Sequence, residues 1–342
     1  MNIFRKPLMI IGASLLMMHS TQAQDGIPVY SDYLTDNYYL LHPSMAGASN
    51  CLKIRAASRF NWIGDSNAPT VFTGTVDTRL GDRSGVGLTT FNDQNGYHSQ
   101  LGAKLTYAHH ITFSRSDYDL NMLSFGVNAG FAQTTLDQTK FVAMPHDDLV
   151  TPGARVDAMN FMVDVGASYH FLDFFTHFTV KNAFSTNKEI YSDVESTNQR
   201  RYMLSAGYVF GNFKGFNNYN DSGYSWEPSV LLQYVEVTQE KLADVNMKMY
   251  KKFNNGQLYA GLSYRTSFDG ADHFKNNKTR QQYESSLSPL VGFKTGKFTM
   301  GYVYTHSLGA VNYGKGMHQL SFGFNFACKG SHYKCNCPSV NF

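Results

Sequence analysis

The sequence predicts an all-β fold: a transmembrane antiparallel β-barrel of about 14 strands, with an N-terminal extended segment packing on or in the barrel. Three features carry that reading. Apolar and polar side chains alternate with a period of two in one segment after another, which fits strands and not helices. Aromatic residues are abundant, 22 Tyr and 26 Phe beside 29 Gly, with only 9 Pro and 16% charged residues, yet mean hydropathy is only -0.32. Long and short connections also sort between one outer and one inner rim, as a barrel requires, except Thr112 to Met122 and Gly211 to Ser225, which are long for inner turns.

The alternation is sharpest where it begins. In Asn50 to Gly64, Leu52, Ile54, Ala56, Phe60 and Trp62 fall on one face, and Lys53, Arg55, Arg59 and Asn61 on the other. Three cations on one face would be costly in a sandwich core, but they suit a wall between lipid and a polar lumen. The same grammar recurs in Thr70 to Arg79, Val86 to Asn92, Tyr97 to Ile111, Leu123 to Phe131, Asn160 to Phe171 and Phe174 to Lys181. It continues in Tyr202 to Phe210, Pro228 to Val237, Ala243 to Lys252, Leu258 to Thr266, Leu287 to Lys294, Phe298 to Thr305 and His318 to Phe326. The three longest connections, Gln133 to Ala158, Phe184 to Gln199 and Phe268 to Tyr283, fall on one rim. Tight turns at Leu172-Asp173, Asn254 to Gly256 and Thr295-Gly296 fall on the other. Trp62, Tyr97, Tyr169, Phe171, Tyr208 and Phe210 lie near strand ends, as interfacial girdles do. A propeller would repeat a blade every ~40 to 50 residues, and no such period is present.

Upstream, Arg5 and Lys6 precede an apolar run from Leu8 to Met18, and Thr21-Gln22-Ala23 offers a cleavage site. Residues 1–23 therefore read as a signal peptide, whose removal takes the net charge from +3 to +1. So little charge implies no nucleic-acid partner. Residues 24–49 are polar and aromatic, broken by Pro43 and Gly47, and read as an extended or turned segment that packs on or plugs the barrel. The barrel is assigned to residues 50–327 and a periplasmic cysteine-containing tail to 328–342.

Motifs for catalysis are missing. No G-x-S-x-G, H-E-x-x-H, phosphate cradle or dinucleotide fingerprint is present, so neither an enzyme nor a cofactor is expected. His98, His170 and His177 read as lining a lumen or a rim, and His109 and His110 fall on opposite strand faces. The spacing of Cys328, His332, Cys335 and Cys337 would suit four zinc ligands. An exported chain meets an oxidising compartment, however, so disulfide pairing, with Cys51 as a further partner, is favoured over metal.

The run from Tyr30 to Pro69 resembles the opening signature of the PorP/SprF family, outer-membrane proteins of the Bacteroidetes type IX secretion system. That signature reads roughly as N-P-A-x-A-G, an R-x-Q-W strand end and a short loop with A-P. Here His42-Pro43-Ser44-Met45-Ala46-Gly47, Arg59-Phe60-Asn61-Trp62 and Ala68-Pro69 stand in those places. Departures occur at His42, Ser44 and Asn61. Weaker matches come in family order at Gly85 to Leu88, Leu123 to Val127, Ser205 to Phe210, Tyr259 to Arg265 and His318 to Phe322. The resemblance implies a non-enzymatic barrel in outer-membrane lipid that assists secretion or surface attachment of a partner protein. That partner would carry a type B C-terminal domain, as an adhesin used in gliding motility does. The family's other known role, linking the outer membrane to periplasmic peptidoglycan-binding components of the machine, stays open, and a passive porin is a third reading. Pro43, Gly47, Lys53, Arg55, Arg59, Asn61, Trp62 and Pro69 are the signature and lumen residues to locate in the fold.

Overall fold

A computed structural model describes residues 32–61, 68–113, 119–137, 139, 155–184, 200–211, 223–253, 255–268, 271–275, 278–308, 316–328 and 340. Among these, 14 antiparallel strands close into a barrel, each hydrogen-bonded to its sequence neighbour. They are β1 (Leu52–Asn61), β2 (Thr70–Leu80), β3 (Ser84–Asn95), β4 (His98–Thr112), β5 (Asn121–Asp137), β6 (Arg155–Phe171), β7 (Phe174–Lys181) and β8 (Arg201–Tyr208). After a two-residue piece, β9 (Phe210–Gly211), come β10 (Tyr224–Val235), β11 (Lys241–Phe253) and β12 (Gly256–Ser267). A separate hairpin, β13 (Ala271–Lys275) and β14 (Lys278–Gln282), interrupts the connection to β15 (Ser285–Thr295), β16 (Phe298–Ser307) and β17 (Met317–Phe326). The ring closes where β17 pairs with β1, from Leu52 opposite Phe326 to Asn61 opposite Met317.

Two-residue periodicity translates into an inverted protein, apolar outside and polar within. Leu101, Leu105, Tyr107, Phe125, Val127 and Phe131 are exposed to the outside, Leu105 by 68%. Their neighbours Thr106, His110, Ser124 and Asn128 are buried in the lumen. All 14 segments expected from the sequence are strands. β5 and β6 run farther than the alternation indicated, to Asp137 and from Arg155, because a continuous ladder pairs Gln133 with Met159 and Asp137 with Arg155. Two bands of exposed aromatics ring the wall. Tyr97, Phe131, Phe161 and Tyr264 lie toward the rim with the long connections, and Phe171, Tyr208, Phe210, Trp226, Phe253 and Phe298 lie near the other. Trp62 lies outside the described residues.

We call the rim of short turns, where β1 begins and β17 ends, the inner rim. There Cys51, one residue before β1, forms a disulfide with Cys328, two residues beyond β17. The pairing takes Cys328 out of any four-ligand zinc set. Its companions His332, Cys335 and Cys337 lie outside the described residues, as do residues 1–31.

The N-terminal segment packs inside the barrel, in the turned rather than the extended form of the two expected. Its described part is compact: short helical turns at Asp32–Thr35, Tyr38–Leu41 and Pro43–Met45. Turns of three or four residues have no stability of their own in water. They persist here because the barrel encloses them, and every residue from Asn37 to Ser49 is buried. The lumen is therefore not simply wet. A cluster of Tyr33, Leu34, Tyr38, Leu41 and Met45 packs with wall residues such as Met122, Phe175, Met203, Leu231 and Tyr250.

Candidate functional site

The plugged lumen is the site that the fold constructs. Pro43 opens the third turn with its φ already set for a helix. Local bonds tighten the chain around it: the His42 N–H donates to the Tyr38 carbonyl at 2.9 Å and Met45 N–H to the His42 carbonyl at 3.0 Å. Gly47 then reverses the chain at φ +63°, where a Cβ would lie 2.7 Å from the Thr78 carbonyl and 2.8 Å from Gly85 Cα. Both the conformation and the space call for glycine. Its N–H donates to Asp77 Oδ2 at 3.0 Å, and Arg79 binds back through Nε to the Gly47 carbonyl at 3.0 Å and through Nη1 to Asn50 Oδ1 at 2.8 Å.

Polar contacts hold the plug around most of the circumference. On the β3–β6 side, Tyr39 bonds Thr106 at 2.5 Å, Ser44 bonds Ser168 at 2.5 Å, and His110 Nε2 donates to the Ala46 carbonyl at 3.0 Å. The wall is relieved to admit this backbone: Pro43 packs where Gly126 and Gly166 lack side chains, and the Ala46 carbonyl sits against Gly85. On the β7–β8 side, both His42 ring nitrogens are engaged, with Thr179 and Ser205 at 2.8 Å each. Burial, then the Lys181 ammonium, push the His42 pKa down to about 3, so this imidazole is neutral. Lys181 itself donates to the Leu40 carbonyl at 2.8 Å and stands 3.6 Å from Asp164, which Lys104 also meets at 2.8 Å.

The β10–β12 side carries the densest charge. Lys248, its side chain fully buried, bridges the plug's Asp36 at 3.1 Å and the wall's Glu227 at 2.9 Å. Tyr38 and Tyr250 hydroxyls donate to the two oxygens of Glu227 at 3.0 and 2.8 Å. Above them, Tyr33 donates toward Asp244 at 3.0 Å, which Arg265 grips with two bonds of 2.6 and 2.7 Å. Such networks hold only when every member is satisfied, which makes the docked plug a specific arrangement rather than loose filler.

The signature residues thus separate into two groups. Pro43 and Gly47 shape the plug, while Lys53 and Arg55 face the lumen near the inner rim, Arg55 only 9% exposed. Arg59 and Asn61 sit half-buried near the outer rim, where the Asn61 N–H donates to the Pro69 carbonyl at 3.0 Å and closes the first outer connection. His170 and His177 are buried in the lumen with ring centroids 5.1 Å apart; His98 is exposed at the outer end of β4. Among the described residues, no group of three or more His, Cys, Asp or Glu is placed to hold a metal ion. Sequence reasoning missed Asp36, Asp164, Lys181, Glu227, Asp244, Lys248 and Arg265. Their signal was present: each wall member is a charge at an inward position of an alternating strand.

Among solved structures, the fold is similar to the CymD monoaromatic hydrocarbon channel (TM-score 0.44, 10% identity, covering 84% of this chain and 91% of that one). It is also similar to a deltaS2 mutant of the TodX monoaromatic hydrocarbon channel (TM-score 0.41, 10% identity, 80% and 87%). The COG4313 outer membrane channel from Pseudomonas putida F1 gives a TM-score of 0.39 at 10% identity (81% and 96%). No curated protein sequence matches significantly. The model of the type IX secretion system membrane protein PorP/SprF family matches residues 21–324. With that match spanning nearly the whole chain, the protein belongs to the PorP/SprF family of outer-membrane β-barrels associated with type IX secretion.

Proposed function

We propose that this barrel works by holding a secreted protein at the outer membrane, with no catalysis of its own. The partner is a cargo with a type B C-terminal domain, such as an adhesin, delivered by the type IX machine and retained through the outer connections. The observation that carries this reading is the plug. A lumen filled by residues 33–48 and bonded to most of the wall suits a rigid docking platform better than a passive pore. The longest connections, between β5 and β6, β7 and β8, and β12 and β15, share the outer rim where cargo emerges. Export of the chain itself would depend on its N-terminal signal peptide.

Deleting the gene and quantifying the surface proteome tests this. Loss of one surface protein, with other type IX substrates still displayed, is the expected outcome. Loss of all type IX export would instead support the second reading, a structural link to periplasmic components. One observation favours that alternative: the inner connection from Gly211 to Tyr224 is far longer than the neighbouring turns at Leu172-Asp173 and Gly296-Lys297.

A further inference from the structure

A cation on the lipid-facing side of the wall is left over from the charge pairing that fills the lumen. Along β11 alternate residues point outward: Val245 and Met247 are exposed, and Lys251 and Phe253 continue their column to the inner rim. Register sets Lys251 opposite Tyr224 of β10, on the same face, and Met249 opposite Trp226 one step farther from the rim. Lys252, the next residue, points the other way. Among the described strand residues, Lys251 is the single lysine or arginine on the outer surface of the wall near the inner rim.

Its ammonium is held against the wall rather than extended past the rim. Lys251 Nζ lies 5.0 Å from the centre of the Tyr224 ring and 5.5 Å from that of Phe253, and both rings are exposed. Cation–π contact favours the ammonium there but satisfies none of its three N–H donors. Inside the barrel, Lys104 and Lys248 each meet a carboxylate, at 2.8 and 2.9 Å. Among the described residues no carboxylate pairs with Lys251. Trp226 and Phe253 belong to the inner band of exposed aromatics, and such bands mark the level of the lipid headgroups. A lysine fixed at that depth faces phosphate, not open water.

We propose that Lys251, Tyr224 and Trp226 form a binding site for the phosphate of an inner-leaflet phospholipid. The Lys251 ammonium gives the phosphate a charge-assisted bond, and the Tyr224 hydroxyl and Trp226 indole N–H are neutral donors on the same face. Exposed Met247 and Val245 continue up the wall, where the acyl chains of that lipid would lie. Because two rings already restrain the ammonium, binding orders less side-chain freedom than it would at an unrestrained lysine. The site stands apart from the cargo reading, which concerns the opposite rim.

Quenching of Trp226 fluorescence tests it. The chain has 2 tryptophans, so Trp62→Phe leaves Trp226 as the reporter, diagonal to Lys251 across the β10–β11 ladder at about 7–8 Å. The purified full-length barrel, delipidated in detergent, is titrated with phosphatidylglycerol carrying brominated acyl chains and, separately, with diacylglycerol carrying the same chains. Phosphatidylglycerol should quench saturably, at about tenfold lower concentration than diacylglycerol. Lys251→Gln should weaken the phosphatidylglycerol response about tenfold and leave the diacylglycerol response unchanged, whereas Lys251→Arg should retain both. Gel mobility before and after heating checks that the Lys251→Gln barrel is folded, as expected for a side chain with no ion pair to lose. Absence of saturable quenching, equal quenching by the two lipids, or wild-type phosphatidylglycerol affinity in Lys251→Gln overturns the assignment.

Discussion

Gly126→Ala should loosen the plug without opening the barrel. A Cβ at Gly126 would lie 2.5 Å from the Pro43 carbonyl oxygen, whereas ordinary contact needs roughly 3.4 Å. The neighbour is backbone and cannot swing aside, and Pro43 is also packed against Gly166. Either β5 bends out of a ladder paired on both sides, or the plug retreats by nearly 1 Å and stretches its bonds to Ser168 and His110. Overpacking of this kind costs about 2–3 kcal/mol, which multiplies the undocked population roughly 30- to 160-fold. The assay is maleimide labelling of a Ser44→Cys reporter, in a background lacking the other cysteines, since Ser44 is fully buried when docked. Gly74→Ala is the control, because its nearest contact would be the movable Thr90 Oγ1 at 2.9 Å. If Gly126→Ala labels no faster than the control while both barrels remain folded, the Gly126 gap does not set the docking of the plug.

Three other outcomes rest on the same contacts. Lys248→Met leaves Asp36 and Glu227 as buried carboxylates without their cation, at about 3–5 kcal/mol; the plug reporter should become accessible, and adding Glu227→Gln should restore part of its protection. His42, depressed to about 3 from its ordinary 6.5, is neutral when docked, so an undocked plug binds a proton more readily. Docking should therefore be fully stable above pH 6.5 and weaken by up to tenfold per pH unit as pH falls toward 3, with a shallower profile in His42→Gln. Replacing Cys51 and Cys328 by serine removes a staple across the β1–β17 seam that spans 277 residues of sequence. The ten-residue ladder should still close the barrel, but heat unfolding on gels should come at lower temperature, reflecting a loss of about 2–4 kcal/mol.

The barrel wall was legible because lipid imposes a binary rule at every position: Leu105 outward, Thr106 inward, and so around the ring. Parity also placed Lys53, Arg55, Arg59 and Asn61 on the lumen side. The conformation of the plug was not legible. Tyr38 to Leu41 carries no helix signal of its own, and it is folded by contacts with strands as distant as β10 and β11. For the same reason the partners of Glu227, Asp244 and Lys248 could not be read from spacing, since each lies roughly 190 to 210 residues from the plug residue it meets. Nothing in the sequence separates Gly85, Gly126 and Gly166 from other strand glycines; only the enclosed chain reveals them as the plug's clearance.

Affinity purification of the tagged barrel from detergent-solubilised outer membranes of its native cell tests the central claim most directly. Plugged and bound, it should bring down a secreted protein bearing a type B C-terminal domain in near-stoichiometric amount, with no porin-sized conductance when reconstituted. A partner-free barrel from cells expressing that cargo, or a large stable conductance from the intact chain, would contradict the account.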